Sequence, residues 1–141
     1  MNDAELRTLA MEMAKRAYAP YSRFQVGAAV RGASGRLYGG CNVENASYPC
    51  GICAERNAIC QAVAAGERKI EAVAIAGGPG GVVSGYCAPC GLCRQTMREF
   101  SDPAALRVFL VKSAAEFKTL TLEELLPESF GPDSLCSPTP R

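Results

Sequence analysis

The sequence predicts an α/β fold, a three-layer α-β-α sandwich with a mixed central sheet of about five strands. Two apolar segments, residues 24–30 and 36–41, flank the turn Gly32-Ala33-Ser34-Gly35, as in an antiparallel hairpin. After residue 50, strand-like apolar runs alternate with helical ones. Such alternation favours parallel strands covered by helices on both faces. The hairpin therefore makes the predicted sheet mixed.

Three helices are predicted from the spacing of apolar residues and from the residues that end each helix. Pro20 ends the first helix, Gly66 ends the second, and Ser101-Asp102-Pro103 break the third. The predicted helices cover residues 3 to about 19, 53 to about 65 and 90 to 100.

The remaining strands are expected where short runs are rich in β-branched and other apolar residues. Gly77-Gly78-Pro79-Gly80-Gly81 is expected to be a flexible loop, and no Gly-Lys-Ser/Thr follows it to make a phosphate cradle. A single catalytic domain is predicted over residues 1–130, and residues 131–141 are expected to be a loose tail. The later strands are predicted at residues 71–76, 106–111 and 116–120, before a helical turn at 122–126.

The charge balance argues against two classes of partner. Fifteen Lys and Arg residues against fourteen Asp and Glu residues give a net charge of +1, without the basic excess that nucleic-acid binding needs. No apolar run approaches the roughly 18 residues that cross a membrane, and the N-terminus has no apolar signal segment. We therefore expect a cytoplasmic protein, with the nucleus as the alternative, that binds neither nucleic acid nor membrane.

Cysteine and histidine usage points to a metal. The chain has eight cysteines and no histidine. Without a signal segment a disulfide framework is not expected, so metal binding or catalysis becomes the leading explanation. Because imidazole is absent, zinc would be held by sulfur and carboxylate, and a general base would be Glu or Asp.

Two cysteine motifs offer three thiolates to one tetrahedral metal ion. Cys53, followed by Glu55, opens the second helix, and Cys90 and Cys93 open the third. Three protein ligands leave a tetrahedral zinc with one open position, which is typical of a catalytic site. Arg56 is placed to offset the excess negative charge of three thiolates by bonding one of them.

A closed structural zinc site is the alternative that spacing alone leaves open. Cys50-x-x-Cys53 and Cys90-x-x-Cys93 are a pair of CxxC motifs that could supply four sulfurs. Structural knuckles usually lie on short turns, whereas both motifs here lead into helices. A closed site also gives Glu55 no role.

The polar segment between the second strand and the second helix has two interpretations. Residues 42–49 carry two Asn and a Glu after a strand, which could line a sugar pocket. Alternatively, the segment is a solvated connection held by Asx-turns.

These residues together resemble the cytidine/deoxycytidylate deaminase family, and in particular its small, homotetrameric, three-cysteine type. The family signature is a Cys or His two positions before a Glu, followed later by P-C-x-x-C. The matching runs, spread from residue 18 to residue 130, are Tyr18-Ala19-Pro20-Tyr21-Ser22, Phe24 to Ala29, Gly40 to Tyr48, Cys53 to Arg56, Pro89 to Gln95 and Glu124 to Pro127.

The resemblance implies zinc-dependent hydrolytic deamination of cytidine and deoxycytidine to uridine and deoxyuridine, with release of ammonia, in pyrimidine salvage. It implies one zinc per subunit, held by Cys53, Cys90 and Cys93. Zinc-bound hydroxide would attack C4 while Glu55 shuttles the proton. A deaminase of another substrate, such as a nucleoside antibiotic, a purine base or a base in single-stranded nucleic acid, is the remaining alternative.

The resemblance also implies how a nucleoside is held. Phe24 would stack on the base, Asn42 and Glu44 would bind the ribose hydroxyls, and the Ala54 N–H would hold the pyrimidine carbonyl. Active sites would be shared within a homotetramer, with Phe130 reaching a neighbour's site. The full set of implied substrate-binding residues is Phe24, Asn42, Val43, Glu44, Asn45, Ala46, Ser47, Tyr48 and Ala54.

Overall fold

The computed structural model describes residues 3–135 and contains one five-stranded sheet with helices on both faces. None of the helices in this part of the chain is long and apolar enough to span a membrane. The strands are β1 (Phe24–Gly32), β2 (Leu37–Cys41), β3 (Ile70–Pro79), β4 (Arg107–Val111) and β5 (Phe117–Thr121). The helices are α1 (Asp3–Ala14), α2 (Ala54–Ala64), α3 (Gly91–Glu99), α4 (Leu122–Leu125) and α5 (Pro132–Leu135), with a 3₁₀ turn at Tyr48–Cys50.

The strand order is β2-β1-β3-β4-β5, and the sheet is mixed as predicted. β1 pairs antiparallel with both β2 and β3, so the hairpin joins the sheet through its first strand. β3 and β4 run parallel, because α3 forms the crossover between them. β5 returns antiparallel to β4 and closes the far edge. The predicted α-β-α fold class is confirmed.

The two faces of the sheet are packed differently because side chains alternate along β3. Ala72, Ala74 and Ala76 face the cluster that contains α1. Val73 and Ile75 face the cluster that contains α2 and α3. The small alanine side chains let α1 lie close to the sheet, while the larger side chains fill the space under the two helices that begin at the cysteine motifs.

The first helix is shorter than predicted. It ends at Ala14 rather than near residue 19, so Pro20 is not what ends it. The Tyr18 N–H donates to the Asn42 carbonyl at 3.0 Å, and the Glu44 N–H donates to the Tyr18 carbonyl at 2.8 Å. Because this bridge requires an extended backbone at Tyr18, the chain must leave the helix several residues earlier.

The glycine-rich segment after β3 is only partly a loop, which corrects the prediction for residues 77–81. β3 continues to Pro79 because its last residues pair with the start of β1, with Phe24 opposite Pro79. The turn itself is confined to Gly80 and Gly81, whose φ angles are +65° and +82°. The extension of β3 fixes Phe24 at the sheet end where both cysteine motifs lie.

The segment expected to be a loose tail, residues 131–141, begins with residues that contact α3. The Arg98 guanidinium contacts Asp133 Oδ1 at 2.7 Å and donates to Ser129 Oγ at 2.8 Å. Gly131 packs on this guanidinium so closely that a Cβ atom there would lie 2.3 Å from Cζ. Residues 132–135 accordingly form a helical turn, and residues 136–141 lie outside the described part of the chain.

Gly40 is the point at which α2 touches β2. A Cβ atom at Gly40 would lie 2.4 Å from the Ala58 backbone nitrogen and 2.8 Å from the Ala54 carbonyl oxygen. Since both atoms belong to the backbone of α2, a side chain at this position must displace the whole helix.

We therefore expect Gly40→Ala to lower the free energy of unfolding by about 2 to 3 kcal/mol, the usual cost of overpacking a core. Urea denaturation followed by circular dichroism measures this loss. Gly85→Ala is the matched control, because a Cβ atom at Gly85 meets nothing within 4 Å. Equal unfolding midpoints for the two variants would contradict the close approach at Gly40.

Candidate active site

Three cysteine sulfurs meet where α2 and α3 begin. Cys53 and Cys90 are the N-cap residues of these helices, and Cys93 lies in the first turn of α3. The Sγ atoms of Cys53 and Cys90 are 3.8 Å apart, and those of Cys90 and Cys93 are 3.6 Å apart. A tetrahedral zinc with Zn–S bonds of about 2.3 Å separates its sulfur ligands by about 3.8 Å. The three sulfurs therefore fit one zinc ion.

The surroundings of the three thiols raise the pKa values of two of them and lower the pKa of the third. Burial raises the pKa of Cys93 and of Cys53, and the negative charge of Glu55 adds to the effect at both. At Cys90 burial is outweighed by hydrogen bonds from the Cys93 and Leu92 backbone N–H groups and from neighbouring thiols, which lower its pKa. A helix N-terminus can stabilise a thiolate through its free N–H groups, and among these three cysteines such groups lower the pKa of Cys90 alone. Three adjacent thiolates need a positive ion to offset their repulsion.

Neither of the other nearby cysteines joins the three sulfurs. Within residues 3–135, the group of side chains that could hold a metal ion consists of Cys53, Cys90 and Cys93, whose ligand atoms all lie within 4.8 Å of one another. Cys50 is exposed on the 3₁₀ turn, and Cys87 is half-buried. This geometry favours the open three-ligand site over the closed four-sulfur alternative.

Glu55 lies in the first turn of α2 and is only 4 % exposed. Burial raises the pKa of its carboxyl, although its own backbone N–H and the Cys93 thiol partly oppose this. The carboxylate also acts on Cys87, where burial and then the charge of Glu55 raise the thiol pKa to about 11. A buried carboxyl beside the sulfurs, with its pKa moved toward neutrality, is suited to proton transfer.

The loop after β2 is held beside the sulfurs by backbone pairing. Val43 and Ile52 exchange two hydrogen bonds of 3.1 and 3.0 Å, and Val43 also bridges to Tyr18. The Asn57 amide of α2 donates to the Cys41 carbonyl at 3.0 Å, which ties the end of β2 to the same helix. The loop is therefore fixed on the residue that precedes Cys53.

Two cavities adjoin this loop. One of about 360 Å³ contains both Cys53 and Arg56 in its wall, and the other is of about 350 Å³. Glu44, Tyr48 and Gly51 line both, so the cavities meet at these residues. Other residues lining the first cavity are Asn42, Val43, Pro49, Ile52 and Leu92.

Asn42 and Phe24 are brought into contact. Asn42 Oδ1 accepts from the Val26 N–H at 2.8 Å, and Asn42 Nδ2 donates to the Phe24 carbonyl at 2.9 Å. The side-chain amide keeps one N–H and one lone pair for a ligand. The Phe24 ring is 39 % exposed at the start of β1.

The other predicted residues have varied surroundings. Ala54 is buried at the start of α2, and the Arg56 side chain makes no hydrogen bond or ion pair with another described residue. Asn45, Ala46 and Ser47 are exposed, and Asn45 Oδ1 accepts from the Ser47 N–H at 2.9 Å. This Asx-turn is the feature expected of a solvated connection, so part of the loop fits that alternative.

Phe130 is 60 % exposed, but its backbone is held by α3, the helix that begins at the Cys90-x-x-Cys93 motif. The Gln95 side chain of α3 donates to the Phe130 carbonyl at 2.9 Å. Arg94, on the same helix, donates to the carbonyls of Pro89 and Leu125 at 2.7 Å each. The helix that bears Cys90 and Cys93 therefore positions the C-terminal segment as well.

Sequence reasoning missed Ser22 and Arg94 as parts of this site. Ser22 bonds the Glu44 carboxylate, and Arg94 fixes the residue before Cys90. Both lie inside the runs that carry the family resemblance, but their partners are distant in sequence. No local pattern identifies such contacts.

Comparisons with known proteins agree with this geometry. A family model described as "Cytidine and deoxycytidylate deaminase zinc-binding region" matches residues 1–109. A cytidine deaminase of Sporosarcina psychrophila is 40% identical over 121 residues, which cover 86% of this chain and 85% of that protein. A cytidine deaminase of Mycobacterium tuberculosis is 40% identical over 130 residues, covering 92% and 90% respectively. The crystal structure of cytidine deaminase from Burkholderia pseudomallei matches with a TM-score of 0.82 at 42% identity, covering 92% of this chain and 100% of that chain.

The three-sulfur geometry predicts which cysteines retain metal. We expect Cys53→Ala, Cys90→Ala and Cys93→Ala each to lose most of the zinc, because a site with two protein ligands binds far more weakly. Cys50→Ala should keep about one zinc per chain, as measured by atomic emission on purified protein. Cys60→Ala, at an exposed position of α2, is the matched control. If Cys50→Ala lost its zinc while Cys60→Ala kept it, the result would favour the closed four-sulfur site instead.

Proposed function

We propose that this chain, which belongs to the cytidine and deoxycytidylate deaminase zinc-binding family, deaminates cytidine and deoxycytidine to uridine and deoxyuridine with release of ammonia. One observation carries the proposal: three sulfurs with tetrahedral spacing lie beside a buried carboxyl, next to a cavity walled by a polar loop. The relatives described above are cytidine deaminases, which agrees with this activity.

Cys53, Cys90 and Cys93 would hold the zinc, with Arg56 positioned to balance part of the thiolate charge. When bound, a zinc ion with three protein ligands keeps a coordination position for water and lowers the pKa of that water, which supplies a nucleophile near neutral pH. The charge on three thiolates weakens this effect, so a cationic side chain on the wall of the same cavity is a useful counterweight.

Glu55 would carry the protons of the reaction. Its carboxylate takes one proton from the attacking water and delivers it to N3 of cytosine. It then takes the second proton of that water from the hydroxyl now on C4 and delivers it to the amino group, so that the C4–N bond breaks, ammonia leaves and C4 becomes a carbonyl. One carboxyl can do both because it is regenerated at each transfer, provided that its pKa lies near neutrality. Burial supports this role, since it raises the pKa of Glu55.

The nucleoside would lie between β1, the loop after β2 and the start of α2. Phe24 stacks on the base, the Ala54 N–H binds the pyrimidine carbonyl, and Asn42 and Glu44 bind the sugar. The free N–H of the Asn42 amide and the position of Glu44 between two cavities support this arrangement. Val43, Asn45, Ala46, Ser47 and Tyr48 complete the proposed wall.

A deaminase of a different substrate is the second candidate. The net charge of +1 weighs against a base in a polynucleotide, which would need a basic surface. Asn42 and Glu44 favour a ligand with free sugar hydroxyls over a purine base. A nucleoside therefore fits the loop best.

The assembly and the pathway of the protein are inferred from the family resemblance. We infer a homotetramer with shared active sites, acting in pyrimidine salvage in the cytoplasm. The exposed Phe130 ring, held at its backbone by Gln95, supports a role at a neighbouring subunit's site.

Glu55→Gln should keep zinc but lose about 10²- to 10⁴-fold of the turnover number, because an amide cannot shuttle protons. The assay follows the loss of cytidine absorbance, with metal content measured on the same sample. Glu12→Gln, on the exposed side of α1, is the matched control and should turn over cytidine normally. Wild-type turnover by the Glu55 variant would exclude this mechanism.

Shared sites can be tested by mixing inactive subunits. Phe130→Ala should lower kcat/KM for cytidine through the neighbour's site, and Glu55→Gln should inactivate its own site. Assemblies co-expressed from both variants contain sites with an intact Glu55 and a neighbour's intact Phe130. We expect such assemblies to exceed the mean activity of the two variants, and activity equal to that mean would show that Phe130 acts within its own subunit or not at all.

A further inference from the structure

The Ser22 hydroxyl joins two residues proposed to hold opposite ends of the substrate. Ser22 Oγ donates to Glu44 Oε2 and accepts from the Phe24 N–H at 3.1 Å. The Phe24 carbonyl is held in turn by Asn42 Nδ2 at 2.9 Å. A single exposed hydroxyl therefore connects the sugar-facing carboxylate to the backbone of the residue proposed to stack on the base.

The Glu44 carboxylate is almost fully used by the protein. Its Oε1 atom accepts from the Tyr21 N–H at 3.0 Å and from the Ser22 N–H at 3.1 Å. Its Oε2 atom accepts from the Ser22 hydroxyl. A carboxylate offers about four lone-pair positions, so one acceptor position remains, on Oε2.

These bonds also keep Glu44 ionised. The Ser22 hydroxyl is the main cause that lowers the pKa of this carboxyl, followed by the Ser22 and Tyr21 backbone N–H groups. A charged acceptor makes a stronger hydrogen bond to a hydroxyl than a neutral one does. Glu44 lines the cavity of about 350 Å³ together with Tyr21, Ser22, Asn45, Tyr48 and Gly51, so the remaining lone pair has room for a ligand.

We propose that Ser22 is a positioning residue for sugar recognition, which aims Glu44 so that it accepts from one sugar hydroxyl only. This inference rests on the proposed nucleoside deaminase activity. Because only one acceptor position is left, a sugar lacking one of its two ring hydroxyls still satisfies Glu44 if it keeps the right one. The site then discriminates strongly at one ring position of the sugar and weakly at the other.

The test compares Ser22→Ala with wild type on four substrates: cytidine, 2′-deoxycytidine, 3′-deoxycytidine and 2′,3′-dideoxycytidine. For cytidine and for one of the two monodeoxynucleosides, we expect kcat/KM to fall about tenfold, mainly through KM, the usual effect of losing a hydrogen bond to a charged group. For the other monodeoxynucleoside and for dideoxycytidine, the change should stay within about twofold, because Glu44 then has no hydroxyl to bind.

Two further variants separate positioning from general damage. Ser22→Thr keeps the hydroxyl and should restore wild-type values, while Ser84→Ala removes an exposed loop serine and should change nothing. Zinc content and unfolding midpoint are measured for each variant. An equal loss on all four substrates would overturn the proposal, because the effect would then run through Phe24 or the fold. No loss on any substrate would overturn it as well. A wild-type protein that deaminates none of the four would overturn the proposed function and this inference together.

Discussion

The central constraint on the fold is that three sulfurs must lie within bonding distance of one zinc ion. Three thiolates repel one another, and burial makes each charge more costly, so the polypeptide must bring them together against that cost. Cys90 and Cys93 are close through local helix geometry, but Cys53 is on another helix. The separation of 3.8 Å between Cys53 and Cys90 depends on how α2 and α3 are seated on the sheet.

Gly40 and the larger side chains of β3 determine how α2 and α3 pack on the sheet. Gly40 lets the backbone of α2 lie against β2, and the larger side chains of Val73 and Ile75 pack between the sheet and the helices α2 and α3. The same sheet end carries Phe24, because β3 extends to Pro79 and pairs with the start of β1. The three sulfurs and the residues proposed to face the substrate are thus fixed by one set of backbone contacts, although they come from segments far apart in sequence.

Much of this was predictable from sequence because the signals are local. Cys53 and Cys90 open helices as expected, and the absence of histidine is why the proposed proton carrier is a carboxyl. What could not be predicted depends on distant partners. The end of α1 is set by the bridge between Tyr18 and the loop after β2, and the order of residues 132–135 is set by Arg98. Ser22 resembles any turn serine until the fold brings Glu44 to it.

Glu44 and Glu55 carry the same carboxyl group, but the fold gives them opposite surroundings. Glu44 accepts three hydrogen bonds from Tyr21 and Ser22, which lower its pKa and keep it an acceptor. Glu55 is buried, and this burial raises the pKa of its carboxyl, which disfavours a fixed negative charge there. Environments that push two pKa values apart commonly separate a fixed charge from an acid–base catalyst. The roles proposed for Glu44 in sugar binding and for Glu55 in proton transfer rest on this difference in surroundings, since the two side chains are chemically identical.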